Sequence, residues 1–498
     1  MNSIEGFMKA SMIGSMKRYL VLSLFWWFSL NFNAQGLFDL SPSWTLPVIE
    51  IETENRDSIT SKDSYIQATC TIYDAKGIID GTYSIGIRGR GNSTWNYFLK
   101  KPFRLKFEKK VHLIGGGKSK HYVLLPYIDN EYSFWGNLVG FELSRRIGIG
   151  WTPSMAPYEV ILNGDYIGLY FLTENIRVEK SRVDIIEQKN GETDSELITG
   201  GWLLEIDNYV EDNQIHIYDR DSKIIRFTYH SPDSLSNVQE EWLTSYLNLV
   251  NDVVQKYDYT NSDWENYIDI DELTKYYIVQ EILDNPEGFV GSCWLYKDKG
   301  NDSKLKFGPV WDLGGAFYWR DQPDFITNYE VLGVRYKQRW LTELLNYPNF
   351  QKKIKEMWCQ FEIETDVVDY LNSYLTSIQE AANIDHKRWS QYNYAYTSES
   401  LQHFLDRYNK KISFLHSMWD YETGINGKVH MNVKVANKQL SFNSGNIISN
   451  VRVVKLDGQV YRPIKTSEST YMIDGIKGPL CLLYTINGKE FGEFIILK

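Results

Sequence analysis

Alternation of apolar and polar residues dominates the first part of the chain and predicts β-strands. The pattern has a period of two, which gives each segment one apolar face, as in half-buried strands. Near residues 134–147 the period becomes helical, and Gly148 and Gly150 follow as helix-ending residues. The segments that predict strands in this part are 46–54, 64–74, 81–89 and 103–109.

The middle of the chain mixes strands and helices. Asn163-Gly164 joins two alternating segments and is typical of a two-residue hairpin turn. Apolar residues at spacings of three and four later predict helices. The predicted strands here are 156–164, 166–176, 202–207, 292–299 and 304–312, and the predicted helices are 240–257, 270–283 and several between 339 and about 421.

Residues 427–498 differ from the rest of the chain because they contain no Trp and consist of short alternating segments with Asp-Gly and Asn-Gly turns. This pattern predicts a small β-sandwich appended to a larger body. The predicted fold class is therefore α+β, with an antiparallel sheet flanked by helices. The predicted domains are a body at 44–421 and a C-terminal module at 427–498.

Residues 1–34 have the pattern of an export signal. Lys17 and Arg18 form a basic pair, residues 19–32 are apolar, and Ala34 is a small residue at a cleavage point. The apolar stretch is short for a bilayer span, although a membrane anchor remains the alternative. Met16 is an alternative start. We expect an exported chain, either secreted or at the cell surface.

Composition narrows the class of protein. The 498 residues are 23% charged and 43% hydrophobic, which excludes a wholly disordered chain, a collagen and a multi-span membrane protein. A net charge of −11 argues against nucleic acid as the main partner. After the leader no apolar run reaches a bilayer-spanning length, so no transmembrane span is expected in the mature chain. The four Cys include no CxxC pair, which favours buried free thiols over a zinc site.

The first stretch that bears chemistry is 87–95 together with 100–107. Glycines let the backbone approach a ligand closely, and neighbouring Arg and Lys side chains match phosphate oxygens. A strand that carries Lys follows, as a nucleotide triphosphate site requires. The alternative is a Gly/Asn hairpin on a basic sheet edge.

The second stretch is 281–289 together with 308–315. A carboxylate on a loop between short strands is a suitable Mg²⁺ ligand, because Mg²⁺ binds one or two carboxylates plus substrate phosphates. A second carboxylate about 25 residues upstream could orient or deprotonate an attacking hydroxyl. The alternative is that these acids only cap helices and turns.

Taken together, the motifs resemble those of the CotH kinase family, named after a spore coat protein, over roughly residues 44–420. The resemblance implies a reduced, atypical protein-kinase fold that transfers phosphate from ATP to protein Ser or Thr. The motifs that carry it, in order, are RGRGNSTW with KKPFRLKF (88–95, 100–107), YEVILNGDYIGLYFLTENI (158–176), GGWLLEID (200–207), NPEGF with SCWLYKD (285–298) and GPVWDL (308–313).

The resemblance also implies roles for individual residues. Asp312 matches the metal-binding aspartate and Glu287 the catalytic acid, while Asn285 is a second candidate ligand for Mg²⁺ or Mn²⁺. Lys106 is the favoured phosphate-binding lysine, with Lys101 second and Glu174 its candidate partner. The other candidates for binding ATP are Arg88, Arg90, Asn92 and Ser93.

Three positions depart from the family pattern. Glu287 stands where the family commonly has Asp, Gly314 where an Asp or Asn usually follows WDL, and Gly136 where the family often has Arg. The alternative function is therefore a catalytically weak pseudokinase that acts as a surface binding or adhesion protein. A glycan-active enzyme is a further alternative, since acids such as Glu205 and Asp207 are plentiful, but no carboxylate spacing supports it.

Overall fold

The computed structural model describes most of the chain between residue 40 and residue 497. The predicted leader at 1–34 and the predicted domain boundaries at 421 and 427 lie outside the described residues. The described ranges are 40–317, 332–334, 339–419, 433–436, 439–442, 448–455, 459–467, 469–486 and 489–497.

Helices and strands together give a mixed α+β chain, which confirms the predicted class. Up to residue 174 the elements are β1 Val48–Thr53, β2 Ile66–Tyr73, β3 Ile79–Gly89, α1 Ser93–Tyr97, β4 Phe103–Val111, β5 Ser119–Leu125, α2 Ser133–Ile147, β6 Met155–Leu162 and β7 Asp165–Glu174. The next are β8 Trp202–Ile206, β9 Gln214–Tyr218, β10 Ile224–Ser231, α3 Asn237–Val254, α4 Ile270–Ile282, β11 Cys293–Lys297, β12 Lys306–Phe307, α5 Arg339–Leu344, α6 Pro348–Phe361, α7 Val368–Arg388 and α8 Ser398–Trp419. The last are β13 Val433–Ala436, β14 Gln439–Phe442, β15 Ile448–Lys455, β16 Val460–Tyr461, β17 Ile464–Lys465, β18 Thr470–Met472, β19 Gly478–Ile486 and β20 Lys489–Leu497.

The chain divides into two compact units that interleave along the sequence. The first unit contains the residues up to Ile128, Met155–Glu174 and Tyr374–Thr397. The second contains Asp129–Ser154, Asn175–Ser373 and the residues from Ser398 onward. The division follows contacts in space, so it differs from any division made in sequence order.

The first unit is built on a closed barrel, where the sequence predicted only an antiparallel sheet. Its strand order is β1-β2-β3-β4-β5-β7-β6, and β1 pairs with β6 in parallel to complete the ring. Closure leaves no exposed sheet edge. Apolar residues such as Ile51, Ile87, Leu105 and Leu172 fill the interior, because alternate residues of each strand point inward.

The second unit contains a five-stranded sheet in the order β12-β11-β8-β10-β9 and most of the helices. Strand β12 is only two residues long, much shorter than the predicted strand at 304–312, because Gly308 and Pro309 interrupt the pairing. Helices α3 and α4 agree closely with the prediction. In this unit α4 is buried over most of its length, from Glu272 to Ile282.

The C-terminal residues form two four-stranded sheets, in the orders β13-β14-β18-β17 and β16-β15-β19-β20. Side chains from both sheets share one hydrophobic cluster, which includes Phe442, Tyr471, Val453 and Leu482.

Two further predictions concern thiols and membranes. Cys70 and Cys293 are free and buried as predicted, whereas the free Cys359 is only half-buried. Within the described ranges, no helix combines the length and apolar character that a bilayer span requires.

Candidate active site

The Gly/Arg motif at the end of β3 is held together by its own residues. A Cβ atom at Gly89 would lie 2.4 Å from the Trp95 ring, so only glycine lets this ring pack against the end of the strand. Gly91 has φ +81°, in the left-handed region that favours glycine. The glycines thus have a structural reason in addition to the predicted phosphate binding.

Arg88 and Lys106 lie on the outer face of the barrel. Leu105 and Phe107 point into the core, and Lys106 between them is exposed. The Arg88 guanidinium carbon lies 5.0 Å, and the Lys106 Nζ 5.8 Å, from the centroid of the Tyr65 ring. Both cations are therefore within cation–π range of one aromatic ring.

The other predicted phosphate ligands also have contacts within the hairpin. Asn92 Oδ1 accepts a hydrogen bond from Lys62 Nζ at 2.9 Å. Ser93, the first residue of α1, is exposed. The Arg90 amide donates to the Pro102 carbonyl at 3.2 Å. Phosphate binding by these residues stays a prediction.

The two consecutive lysines before β4 have different environments. Lys101 is half-buried, and its Nζ donates to the Trp95 carbonyl at 2.5 Å. Lys100 is fully buried, and its Nζ donates to Asp385 Oδ1 and to the Leu169 carbonyl, each at 2.7 Å. The sequence did not single out Lys100, because a buried ion pair with a residue 285 positions away leaves no local signal.

Glu174 does not pair with Lys106 as predicted. Lys106 is opposite His121 on β5, whereas Glu174 is opposite the next residue, Tyr122. Consecutive strand residues face opposite sides, so Lys106 points out of the barrel and Glu174 points inward. There Glu174 lies beside the β4–β5 turn, where a Cβ atom at Gly115 would lie 2.5 Å from its carboxyl carbon.

In the second unit, Asp312 occupies a tight turn held by side chains from the region of α2. Asp312 has φ 54° and ψ 57°, a left-handed conformation that Asp tolerates better than most residues. The Leu313 amide donates to Asn137 Oδ1 at 3.1 Å. Asn130 Nδ2 donates to the Gly314 carbonyl at 2.9 Å. These bonds fix the position of the turn that carries Asp312.

Close packing of α2 on this turn explains Gly136. A Cβ atom at Gly136 would lie 2.3 Å from the Leu313 carbonyl oxygen, and one at Gly140 would lie 1.9 Å from Leu313 Cδ1. From the family pattern alone, Gly136 stands where an arginine is often found. In this chain, any side chain at Gly136 would instead collide with the backbone of the Asp312 turn.

Glu287 lies in the loop between α4 and β11, next to a buried ion network. Lys411 Nζ donates to Glu281 Oε1 at 2.5 Å and to Asp284 Oδ1 at 3.3 Å. Glu281 also accepts a hydrogen bond from the Gly333 amide at 2.8 Å. The three charged side chains are buried, so this network anchors the start of the loop.

Asn285 is part of the same loop and is engaged inside it. Its Nδ2 donates to Gln280 Oε1 at 2.8 Å, and its Oδ1 accepts from the Glu287 amide at 3.3 Å. Only 1% of the residue is exposed. These contacts hold the Glu287 backbone, and the predicted role of Asn285 as a metal ligand stays a prediction.

In the second unit, the charge of Asp312 acts on the carboxyl group of Glu287. Burial, and after it the charges of Asp312, Asp129 and Asp207, raise the pKa of Glu287 to about 7. Glu287 as a whole residue is exposed, so solvent screening moderates the effect. A carboxyl that titrates near neutral pH is suited to general base catalysis.

Asp129, which the sequence did not indicate, belongs to this cluster. Burial, opposed by a hydrogen bond and reinforced by the charge of Asp312, raises the pKa of Asp129 to about 6. That bond is donated by Ser133 Oγ to Asp129 Oδ1 at 2.5 Å. In sequence, an Asp shortly before a helix resembles an ordinary cap, so nothing distinguished Asp129.

A cavity of about 180 Å³ adjoins the Glu287 loop. Asp207, Asn208 and Arg226 contribute polar groups to its lining, and Phe289 and Trp340 contribute apolar surface. The loop that carries Glu287 thus borders a recess of mixed polarity.

The Asp312 carboxylate is compatible with a small divalent cation. Across the residues that the structure covers, no group of three or more His, Cys, Asp and Glu side chains is arranged to hold a metal ion. Mg²⁺ does not require such a cage, because it commonly binds one or two carboxylates and completes its shell with water and substrate phosphates. The carboxylate oxygen of Asp312 is the kind of donor that Mg²⁺ prefers.

Comparisons with known proteins bear on the family of the chain. No curated protein matches the chain. A family model described as CotH kinase protein matches residues 87–415, a span that includes Arg88, Glu287 and Asp312. Because the match covers most of the sequence, the chain belongs to the CotH kinase family.

Proposed function

We propose that this protein is a secreted, metal-dependent atypical protein kinase that transfers phosphate from ATP to protein Ser or Thr. The observation that carries the proposal is the electrostatic cluster in which Glu287 and Asp312, from separate loops, act on each other. Family membership supports the reaction class. Raised carboxyl pKa values are typical of active sites, where acids serve as bases and ligands.

Different residues have separate roles in an in-line transfer of the γ-phosphoryl group. The acceptor hydroxyl oxygen forms a bond to the γ-phosphorus while the bond to the β–γ bridging oxygen breaks, and ADP leaves with that electron pair. Glu287 accepts the proton of the hydroxyl. Asp312 would hold Mg²⁺ or Mn²⁺, and the cation would neutralise phosphate charge when bound. Phosphate contacts are proposed for Arg88, Arg90, Asn92, Ser93, Lys101 and Lys106.

Phosphoryl transfer is tested with γ-labelled ATP and Mg²⁺ or Mn²⁺. The wild type should label itself or an added protein, and Asp312→Ala should abolish the label. Asp221→Asn, at an exposed position in the second unit, is the matched control and should retain activity. Equal labelling by the wild type and Asp312→Ala contradicts the proposal.

Two departures in the site favour a pseudokinase as the second candidate. Glu287 is longer by one methylene than the family's usual Asp, and a displacement of about 1 Å can cost on the order of a hundredfold in rate. Gly314 has no side chain where the family usually has an acid or amide. In this case the protein is a surface binding or adhesion protein.

Nucleotide binding separates the two candidates. A ligand at a hundred times its Kd adds about 2.7 kcal/mol to stability, which a thermal-shift measurement detects. A shift with ATP and Mg²⁺ together with transfer supports the kinase. Absence of any shift at millimolar ATP supports the binding protein.

Export and the C-terminal module are also part of the proposal. The basic pair and apolar stretch before Ala34 support cleavage and secretion. The two C-terminal sheets, with their shared cluster, support a β-sandwich that serves either as a secretion tail or as a glycan-binding or structural module. N-terminal sequencing of the exported protein tests cleavage after Ala34.

A further inference from the structure

The space beside Gly314 is the starting point. A Cβ atom built on Gly314 would lie 3.2 Å from Ser133 Oγ, 3.5 Å from Asn137 Nδ2 and 3.6 Å from Asp129 Oδ2. A side chain at 314 would therefore begin in contact with Ser133 and Asn137 and beside the Asp129 carboxylate. The Asp129 carboxylate, which comes from another segment, therefore already lies beside the position at which the family usually has an acid.

Asp129 is held in this place by several contacts. Ser133 Oγ donates to its Oδ1 at 2.5 Å. The neighbouring Asn130 donates to the Gly314 carbonyl at 2.9 Å, and Asn137 accepts from the Leu313 amide at 3.1 Å. The segment that carries Asp129 is thus bonded to the Asp312 turn on both sides of Gly314.

We propose that Asp129 supplies the second cation-binding carboxylate of the site, in place of the acid that Gly314 lacks. The inference rests on the proposed function, because it assigns Asp129 to the same Mg²⁺ or Mn²⁺ as Asp312. Two carboxylates match the number that Mg²⁺ commonly takes from a protein, with water and phosphates completing the shell.

The charges around Asp129 agree with this assignment. Asp312 acts on Asp129 as a like charge, and both act on Glu287. Two neighbouring carboxylates repel each other, and a divalent cation between them turns the repulsion into attraction. The departure at Gly314 then marks a relocated ligand.

Terbium luminescence tests the inference without requiring activity. Trp311 directly precedes Asp312 and can sensitise Tb³⁺ bound there. In the full chain, Tb³⁺ affinity should fall by at least about tenfold in Asp129→Asn and in Asp312→Asn, since even indirect supports of a metal site commonly cost that much. Mg²⁺ should compete with Tb³⁺ in the wild type, and Asp221→Asn should bind Tb³⁺ like the wild type.

A relocation variant sharpens the test. In the double variant Asp129→Ala/Gly314→Asp, the acid returns to 314 and the space that it needs is vacated. We expect Tb³⁺ affinity within about threefold of the wild type, whereas Asp129→Ala alone stays at least about tenfold weaker. Circular dichroism and thermal midpoints check that each variant folds.

The outcomes separate the inference from the proposed function. Wild-type Tb³⁺ affinity in Asp129→Asn, with a loss in Asp312→Asn, overturns the role of Asp129 and leaves the kinase proposal intact. Unchanged affinity in Asp312→Asn removes the metal site and contradicts the proposed function itself. Failure of the double variant to recover affinity, when it is folded, also overturns the relocation.

Discussion

The charged residues of the two units have contrasting surroundings. In the first unit, Lys100 is neutralised by Asp385, and Lys101 donates to a backbone carbonyl. In the second unit, the charges that act on Glu287 come from other carboxylates. Folding normally places opposite charges together, so a cluster of like charges indicates a group that a ligand or a reaction must complete.

Two of the buried lysines, Lys100 and Lys411, make the same contrast within the protein interior. Lys100 serves one carboxylate in the barrel unit, where it locks α7 to β7. Lys411 serves two, Glu281 and Asp284, immediately before the loop that carries Glu287. The Lys100 ion pair only stabilises its unit, whereas the Lys411 network also positions Glu287, the proposed catalytic base. Six substitutions test this comparison, in order of decreasing expected effect.

The largest effect is expected from Glu287→Gln. It removes the proposed base but keeps the side chain's size, so kcat should fall by about 10²- to 10⁴-fold in an ATP transfer assay. Glu240→Gln, on the exposed face of α3, is the control and should leave kcat unchanged. A loss of less than about twofold in Glu287→Gln would show that general base catalysis is not its role.

Lys100→Met and Lys411→Met should each destabilise the protein by about 3–5 kcal/mol, because each leaves a buried carboxylate without its cation. Urea denaturation measures the loss. Only Lys411→Met should also lower kcat in the folded protein, since Lys411 supports the Glu287 loop. Equal activity losses in the two variants would contradict the distinction between a structural and a positioning lysine.

Gly136→Ala should cost about 1–3 kcal/mol, because the new methyl group meets the Leu313 carbonyl and the helix must shift. Gly116→Ala is the matched control, since a Cβ atom there would have no neighbour within 4 Å. The thermal midpoint of each variant measures the difference. If Gly136→Ala is as stable as Gly116→Ala, the close approach of α2 to the Asp312 turn is wrong.

The pH dependence follows from the raised pKa of Glu287. The reaction needs the ionised carboxylate, so kcat/KM should rise as the pH increases through about 7. The stability of the fold depends on pH with the opposite sign. The pKa of Glu287 in the folded protein lies above the ordinary value of 4.5, so the folded state binds this proton more tightly than the unfolded state. The stabilisation from this proton is therefore lost as the pH rises from 4.5 to about 7.

Asp207→Asn removes one of the like charges, so it should lower the pKa of Glu287 and move the acidic limb of the pH–rate profile to lower pH. The profile of Asp221→Asn should coincide with that of the wild type. A limb that stays in place in Asp207→Asn would show that this charge is screened from Glu287.

The smallest effect is expected from Lys106→Met. Its exposed ammonium contacts the Tyr65 ring from outside the barrel, so the free energy of unfolding should change by no more than about 0.5 kcal/mol. Phosphate binding by Lys106 would appear separately, as a higher KM for ATP than in the control Lys109→Met on the same strand. Strong destabilisation would contradict the outward orientation.

Local patterns predicted the elements better than their assembly. The helices α3 and α4 and the strand β4 follow from periodicity, because each buries one face. Strand β5 at Ser119–Leu125 was missed, since its first residues are polar and basic. The closed barrel could not be predicted, because the parallel pairing of β1 with β6 joins segments about a hundred residues apart.

The site shows the same limit. Glu287 and Asp312 were indicated by ordered motifs. Asp129 was not, since its place depends on the direction in which Gly314 would project a side chain. Gly136 was interpreted as a loss for a similar reason, because the sequence does not show the carbonyl packed against it.

The ion pair between Lys100 and Asp385 has a consequence for how the molecule can be cut and expressed. The barrel unit draws its last segment, Tyr374–Thr397, from late in the chain. A fragment that stops after β7 contains every barrel strand yet lacks Asp385, so the Lys100 ammonium would lose its counter-charge and keep only its hydrogen bond to the Leu169 carbonyl. An isolated barrel thus needs either the end of α7 grafted back or an apolar replacement for Lys100.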